Sequence, residues 1–594
     1  MGLWVKENLS KKFGANRDEI SLSLRDVRND GFTKCQQPIS KYSSSMRNLF
    51  ITISFFLLSV HTGKAQTISN DRLKELLRTS QLLGVYKAGN SLSVNANLIP
   101  IAELDSALDN KKYVPVHLKA GEGSAISFLP VTITQQYNSK TPYDWNNGPM
   151  IPARGYQSVI SLGAFATVGR HITIQVAPEF VSAENKPFET FSQELGDASW
   201  ASYYKFLNTT DIPEQFGTGT YRKILPGQSS IRYNTSKFSF GISTENLWWG
   251  PGYRNSLVMS TNAPGFLHAT INTIKPIQTG IGSFEGQVIA GTLSNSGILP
   301  PRINSVDTQG NFVYQPKKTD TRYITGMVLT WQPKWTPNLF LGISKASYLY
   351  TSDLSNPLDA LPLQGFFGRA VTANEGNGKK SSMGSLFFRY VMPKEHAEIY
   401  MELGRKDISL MPWNIVKSPE YRRAYVAGIR KIFDSQNDSH IQLTAELTQM
   451  QAPTADLIHQ PDSWYTDRYV RQGYTNMGKS IGAGIGPGSN SQTLEISWIK
   501  GLKKIGLQFE RLRHNSDFYY YAFEPLGDFR RHWIDISTTL KADWNYKNFF
   551  FSGQFAVVRS YNYEWLIVQY IPDYFVPGNE VLNFSGKLAV SYRF

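Results

Sequence analysis

From about Ser124 to the end of the chain, apolar and polar side chains alternate with a period of two. That is the pattern of strands with one face toward an apolar medium and the other toward a polar one. Phe584, Gly586, Leu588, Val590, Tyr592 and Phe594 share one face, opposite Ser585, Lys587, Ala589, Ser591 and Arg593. Phe549, Phe551, Phe555 and Val557 oppose Ser552, Gln554 and Ala556, and Leu494, Ile496 and Trp498 oppose Glu495 and Ser497. Eighteen strands are expected on this basis, near 125–136, 156–166, 170–182, 228–234, 237–245, 266–275, 282–291, 322–332, 338–348, 382–392, 397–405, 422–433, 439–449, 492–500, 504–513, 531–542, 547–559 and 583–594.

Alternation also suits a sandwich with a dry core, so the loops decide. Short turns, such as Val168-Gly169, Thr235-Ser236, Gly501 to Lys503 and Asp543 to Tyr546, alternate with connections of about fifteen to over forty residues. Short turns at one rim, long loops at the other and an even strand number describe an outer-membrane barrel. The physical reason is that hydrocarbon offers backbone N–H and C=O groups no partner, so a sheet crosses it only when closed. The expected fold is all-β: a transmembrane antiparallel β-barrel of about 18 strands, with a small N-terminal periplasmic helical region and long extracellular loops plugging the lumen. Phe594, after an alternating strand, resembles the C-terminal signal read by the outer-membrane barrel insertion machinery.

The N-terminal part differs. Met46-Arg47, the apolar run Leu49 to Val60 and the small residues Gly63 and Ala65 have the form of a secretory signal peptide at 46–65, cleaved before Gln66. Residues 1–45 form an upstream extension. The simplest account is that translation starts at Met46; an unusually long leader is the alternative. In 66–120, the periplasmic region, Asp71 to Leu83 has helical spacing of Leu73, Leu76, Leu77 and Leu82, and a second helix is expected over Ile101 to Leu108. The barrel occupies 121–594.

Composition narrows the chemistry. The only cysteine, Cys35, precedes the signal, so the exported chain has no disulfide, thiol nucleophile or Cys-zinc site. Residues 1–65 carry ten of the 61 Lys and Arg and five of the 47 Asp and Glu, which leaves +9 on the rest, too diffuse for nucleic acid. Gly473 to Ser480 matches the phosphate-loop pattern, but the sequel Ile481-Gly-Ala-Gly-Ile-Gly-Pro-Gly488 does not make the helix that pattern needs. Nucleotide binding is not expected. Gly482, Gly484, Gly486 and Gly488 instead suit a backbone folded into the barrel mouth. After Ala65 no two histidines lie within 17 positions of each other, and no Gly-x-Ser-x-Gly elbow appears. No metal, cofactor or catalytic residue is expected.

Two long loops combine aromatic rings, amides and arginines with turn residues: Pro142 to Gln157, with Trp145, Asn146 and Arg154, and Asn246 to Phe266, with Trp248, Trp249, Tyr253, Arg254 and Asn255. Aromatic planes cover the C–H faces of sugar rings, while amide and guanidinium groups satisfy hydroxyls and carboxylates. An interior plug or an interfacial girdle would use the same residues.

Here the chain resembles the Wzi capsule-assembly family of outer-membrane proteins. The matching elements are Pro142-Tyr143 to Gly155, Pro178-Glu179, Glu245-Asn246-Leu247-Trp248-Trp249-Gly250-Pro251-Gly252, Asn255-Ser256-Leu257, Asn262-Ala263-Pro264-Gly265, Lys275-Pro276 and Ile485-Gly486-Pro487. The resemblance implies a non-catalytic lectin in the outer membrane of a Gram-negative bacterium, holding capsular or other surface polysaccharide. Its expected neighbours are outer-membrane lipids and lipopolysaccharide. The eight aromatic, amide and arginine residues named in the two loops are the expected polysaccharide contacts. The alternatives are a porin-like diffusion channel, which would conduct ions, and a barrel hydrolase, which would need a serine beside a histidine.

Overall fold

The computed structural model describes residues 70–86, 89–94, 118–121, 124–307, 309–355, 380–406, 416, 420, 422–435, 437–453, 463–523, 525, 530–567 and 578–593. The signal peptide, the upstream extension and the helix expected over 101–108 lie outside them.

A helix, α1 (Asn70–Leu82), precedes the sheet. Eighteen barrel strands follow: β1 Ser124–Asn138, β2 Gly155–Val168, β3 Ile172–Val176 with Glu179–Ala183, β4 Tyr221–Leu225 with Ser230–Asn234, β5 Phe238–Ser243, β6 His268–Thr273 with Ile277–Thr279, β7 Gly282–Leu293, β8 Arg322–Pro333, β9 Leu339–Tyr350, β10 Lys380–Met392, β11 Ala397–Lys406, β12 Arg423–Asp434, β13 His440–Gln449, β14 Asn490–Lys500, β15 Lys503–Arg513, β16 Ile534–Tyr546, β17 Phe549–Tyr561 and β18 Val581–Tyr592. Each pairs antiparallel with its sequence neighbours, and β18 returns to β1 from Val131↔Tyr592 to Asn138↔Ser585, which closes the sheet. Among the described residues, α2 (Asp197–Leu207) lies in the long loop between β3 and β4 and α3 (Ser516–Ala522) in that between β15 and β16.

The strands fall within a few residues of where the alternation puts them, with three extensions. β16 runs on through the turn expected over Asp543 to Tyr546 and pairs Tyr546 with Phe549, leaving Lys547-Asn548 as the turn, and β6 continues past Pro276 through Ile277–Thr279. β4 reaches back to Tyr221, because Tyr221–Leu225 pairs with Glu179–Ala183. The two-part strands β3 and β4 break beside Pro178 and Pro226. Proline has no N–H for the ladder, and Gln228 N–H bonds to Ala177 O (3.0 Å) to carry the pairing past the gap.

The barrel is apolar outside and polar inside. Ile133, Ile231, Ile271, Ile429, Leu507, Phe555 and Leu588 are exposed on outward positions, while Arg389, Glu398, Glu402, Arg430, Glu446, Glu495 and Gln508 are buried on inward ones. A water-soluble fold buries the first set and exposes the second; a sheet around which lipid packs reverses them.

The lumen is filled from both ends. From the short-turn rim, Leu82 of α1 packs on Phe340, Val391, Ile432 and Ile499. Arg78 reaches inward to Glu398 (2.5 Å), which also faces Arg389 (2.7 Å) and Arg430 (3.7 Å). Residues 89–94 continue upward, where Ser91 N–H donates to Glu285 (2.7 Å) and Ser93 O accepts from Gly250 N–H (2.9 Å). Gly250 belongs to a loop descending from the opposite rim.

Candidate functional site

Three long loops, 139–154, 244–267 and, in its described part, 463–489, fold into the barrel and pack on one another. Their shared core holds Trp249, Leu257, Val258, Met259, Tyr465, Tyr474, Ile481 and Ala483 against wall residues such as Ile324, Val328, Tyr348 and Val426. Backbone approaches this close demand glycine. A β-carbon on Gly252 would collide with the carbonyl oxygen of Asn255, and one on Gly482 with that of Leu257.

Polar groups fix the loops to the wall. Glu446 of β13 accepts the N–H groups of Tyr253 (2.6 Å), Arg254 (2.9 Å) and Asn255 (2.8 Å), and the Tyr400 hydroxyl (2.9 Å). Arg254 Nε and Nη2 donate to the two carboxylate oxygens of Glu510 of β15 (2.9 and 3.1 Å), and the guanidinium lies 3.8 Å from the centre of the Trp145 ring. Asn146 donates to Arg254 O (2.8 Å), and Lys479 pairs with Asp144 (2.5 Å), so the loops also bind each other. Lys479 further donates to Met150 O (2.8 Å). The segment that matches the phosphate-loop pattern is thus a small hairpin, Thr475–Asn476 against Lys479–Ser480, whose lysine is engaged inside the plug.

The eight residues expected to meet polysaccharide take four positions. Trp249 and Asn255 have no exposed surface; Trp249 donates to Gln287 (2.9 Å) and Asn255 to Thr448 (3.0 Å). No sugar reaches either in this conformation. Trp248, under the Lys74 ammonium of α1 (4.9 Å), and Tyr253, bonded to Glu75 (3.3 Å) and Lys504 (3.2 Å), join the plug to the helix below. Trp145, Asn146 and Arg254 form a third group beside a cleft lined by Gln136, Tyr143, Lys541 and Lys587. Its volume is about 30 Å³, the share of one water molecule. Arg154 stands apart from these groups and ties Ser139 O (3.2 Å) to Pro187 O (2.8 Å).

Above the plug lies an aromatic cap that the period-two analysis does not anticipate. Trp200, Tyr203, Tyr204 and Leu207 of α2 pack with Phe191, Tyr314, Phe518, Tyr519, Phe523 and Trp565. Phe191 stacks on Tyr203 at 4.1 Å and Phe518 meets Trp565 edge-on at 4.7 Å. The signal is present in the sequence, because residues 200, 203, 204 and 207 have the spacing of one helical face. At the outer surface Tyr469 is exposed beside Arg468, and Arg471 ties Asn208 O (3.0 Å) to Pro316 O (2.9 Å).

The cap also buries acid. Glu214 accepts from Phe191 N–H (3.0 Å) and from the Tyr203 hydroxyl. Burial pushes its carboxyl up to about 7, and burial together with Glu214, Glu189 and Asp535 pushes Glu564 well above the usual carboxylate range. Both groups bind protons more tightly folded than unfolded. The Glu214 contribution is therefore complete below about pH 4.5 and is lost as pH rises to about 7, by about 1.4 kcal/mol per pH unit, and that of Glu564 is likewise lost as pH rises. Amide exchange across 191–214 and 563–566 is expected to speed up between pH 5 and 7 beyond its intrinsic pH dependence, and Glu214→Gln is expected to flatten that excess. An unchanged excess in the variant would exclude Glu214 as its source.

His514 pairs with Asp535 (2.8 Å) and stacks on Trp533 at 3.8 Å. None of the described histidines hydrogen-bonds to a serine.

No curated protein matches the sequence significantly. Among solved structures, the chain is similar to Wzi of Escherichia coli, an outer-membrane protein involved in group 1 capsule assembly and described as a carbohydrate-binding β-barrel. The TM-score is 0.54 at 12% identity, over 90% of this chain and 100% of that one. Acinetobacter baumannii OccAB2 aligns at TM-score 0.37 and 12% identity, over 80% and 98%. Pseudomonas aeruginosa OprD aligns at 0.37 and 9%, over 80% and 95%. The E. coli match agrees with the closed barrel; the other two carry no weight. The family model for capsule assembly protein Wzi matches residues 132–561, a stretch that takes in most of the barrel and all three plug loops. The chain is an outer-membrane β-barrel that belongs to the Wzi capsule assembly family.

Proposed function

We propose that this barrel is a non-catalytic lectin that binds capsular or other surface polysaccharide and takes part in capsule assembly or attachment. The observation that carries the proposal is the filled lumen. α1 and three long loops occupy the space a porin leaves to water, so the long loops serve the outer surface rather than a pore. The family's role in capsule assembly and the carbohydrate binding described for the E. coli barrel supply the ligand class.

The two loops first singled out take different parts in this proposal. Trp249 and Asn255 hold the loop fold, as do Trp248 and Tyr253 through α1. We assign the polysaccharide to Trp145, Asn146, Arg154 and Arg254, which have an aromatic face, an amide and guanidinium groups to offer it. A sugar ring entering beside Trp145 must displace Arg254 from the ring, so binding there requires the loop to yield.

Titration calorimetry of the purified barrel with the capsule of its own organism tests this. Wild type is expected to bind, and Trp145→Ala with Arg154→Ala to bind about tenfold more weakly while inserting normally. Loss of an aromatic platform alone costs on the order of 1 kcal/mol. No binding by wild type would sink the lectin assignment, and unchanged binding by the double variant would move the contact elsewhere. Hydrolysed glycan or ester would show turnover and favour the hydrolase.

A further inference from the structure

The outward face of β11–β16 carries a feature that neither the plug nor the cap uses. A depression of about 750 Å³ runs across it, floored by the small residues Ala427 and Ala445 and walled by Met401, Leu447, Leu494 and Phe509. The register makes it one continuous belt: Met401 faces Ala427, Ala427 faces Leu447, Leu447 faces Gln492, and Gln492 faces Arg511. The depression lies in the apolar belt, so its occupant in a membrane is hydrocarbon chain.

At the long-loop rim the belt ends in positive charge. Arg511 lines the depression, and Arg513, the last residue of β15, follows on the same outward face. Arg511 donates to the neutral Gln492 (2.9 Å), and Arg513 to the His532 ring (2.8 Å). Neither pairs with a described carboxylate, and the Arg513 Nε–H is buried without an acceptor. Arg559 of β17, also outward and in the same cross-strand row, is by contrast neutralised by Glu580 (2.6 Å). His532 stays neutral at neutral pH, because burial and the two arginines hold it down to about 4.

We propose that this face docks lipopolysaccharide of the outer leaflet, with acyl chains in the depression and a phosphate on Arg511 and Arg513. Guanidinium groups suit phosphate because they present parallel N–H donors to two oxygens at once. Their place at the extracellular rim matches the leaflet in which phosphorylated glycolipid resides, and the small residues below leave room for chains that a uniformly bulky strand face would exclude.

The full barrel, extracted in mild detergent and titrated with lipopolysaccharide, tests this by native mass spectrometry. Wild type is expected to retain lipid, and Arg511→Glu with Arg513→Glu to retain about tenfold less or lower. Ala427→Trp, which fills the depression, is expected to weaken retention while leaving the arginines in place. Dephosphorylated lipopolysaccharide is expected to bind wild type no better than the double variant binds the intact lipid. Equal retention by the double variant, or equal binding of the dephosphorylated lipid, would overturn the proposal. Where the glutamate variant fails to insert, the Arg511→Gln, Arg513→Gln pair carries the same test. The site lies outside the lumen, so polysaccharide binding is expected to be unchanged in these variants and the two assignments fail separately.

Discussion

Replacing Glu446 by Ala is expected to turn a barrel that passes almost no ions into one that conducts. The Glu446 carboxylate receives three consecutive backbone N–H groups at the tip of the 244–267 loop, together with the Tyr400 hydroxyl. Asn583 of β18 holds the 139–154 loop in a similar way, accepting from the Ser139 hydroxyl and the N–H groups of Lys140 and Thr141, but with a neutral amide oxygen. Alanine leaves those donors buried without an acceptor, at about 1–3 kcal/mol each where water does not reach them. The cheapest relief is for the loop tip to leave the lumen or admit water, and either opens a path past Arg254 and Glu510. Planar-bilayer recordings are expected to show near silence for wild type and sustained current for Glu446→Ala. Glu446→Gln keeps one acceptor oxygen and is expected to fall between them. A silent Glu446→Ala barrel with native amide protection over 246–257 would mean the apolar core holds the plug unaided. A conducting wild type would revive the diffusion channel.

The second large effect is expected at the other end of the lumen. Glu398 is enclosed by Arg78, Arg389 and Arg430, all of them buried. Arg78 comes from α1 and the two others from the wall, so this carboxylate is an electrostatic clasp between helix and barrel. Glu398→Ala leaves three guanidiniums confined together without their common counter-charge, and breaking a buried pair in this way costs about 3–5 kcal/mol. The wall strands are locked in the sheet and α1 is not, so the strain is expected to be released by expulsion of α1. Limited proteolysis is expected to cut the variant within 70–94 while the barrel strands stay intact. Arg78→Met in the same background removes the helix's own charge and is expected to restore part of the protection. A protected α1 in Glu398→Ala would show that Leu82 and its apolar contacts suffice to seat the helix.

The resemblance in the two long loops and the burial of those same loops are one fact seen from two sides. Trp248-Trp249-Gly250-Pro251-Gly252 is distinctive because it must pass through a crowded interior. Gly252 cannot carry a side chain beside Asn255 O, and Trp249 fills space against the wall. Aromatics, amides and arginines make an interior plug as readily as a sugar site, since both need apolar faces edged with hydrogen bonds. Residue type alone left those two roles open for Trp249 and Asn255, and their complete burial assigns them to the plug.

What the sequence determined by itself is what depends on neighbours along the chain. Alternation is local, because side chains at i and i+2 must share a medium, and it placed the strands of the barrel. Loop lengths separated the two rims, and closure followed because hydrocarbon tolerates no unpaired strand edge. The tertiary structure decided what depends on residues far apart in sequence. It brought Glu446 to Tyr253, Glu398 to Arg78 and Phe191 to Trp565, none of which any periodicity relates. It also sent three of the long loops inward and let α2 and α3 build a cap, although all are loops of similar polarity. An ion pair or an aromatic stack across hundreds of residues is chosen by the closed sheet that places its ends together, and no window of sequence contains both.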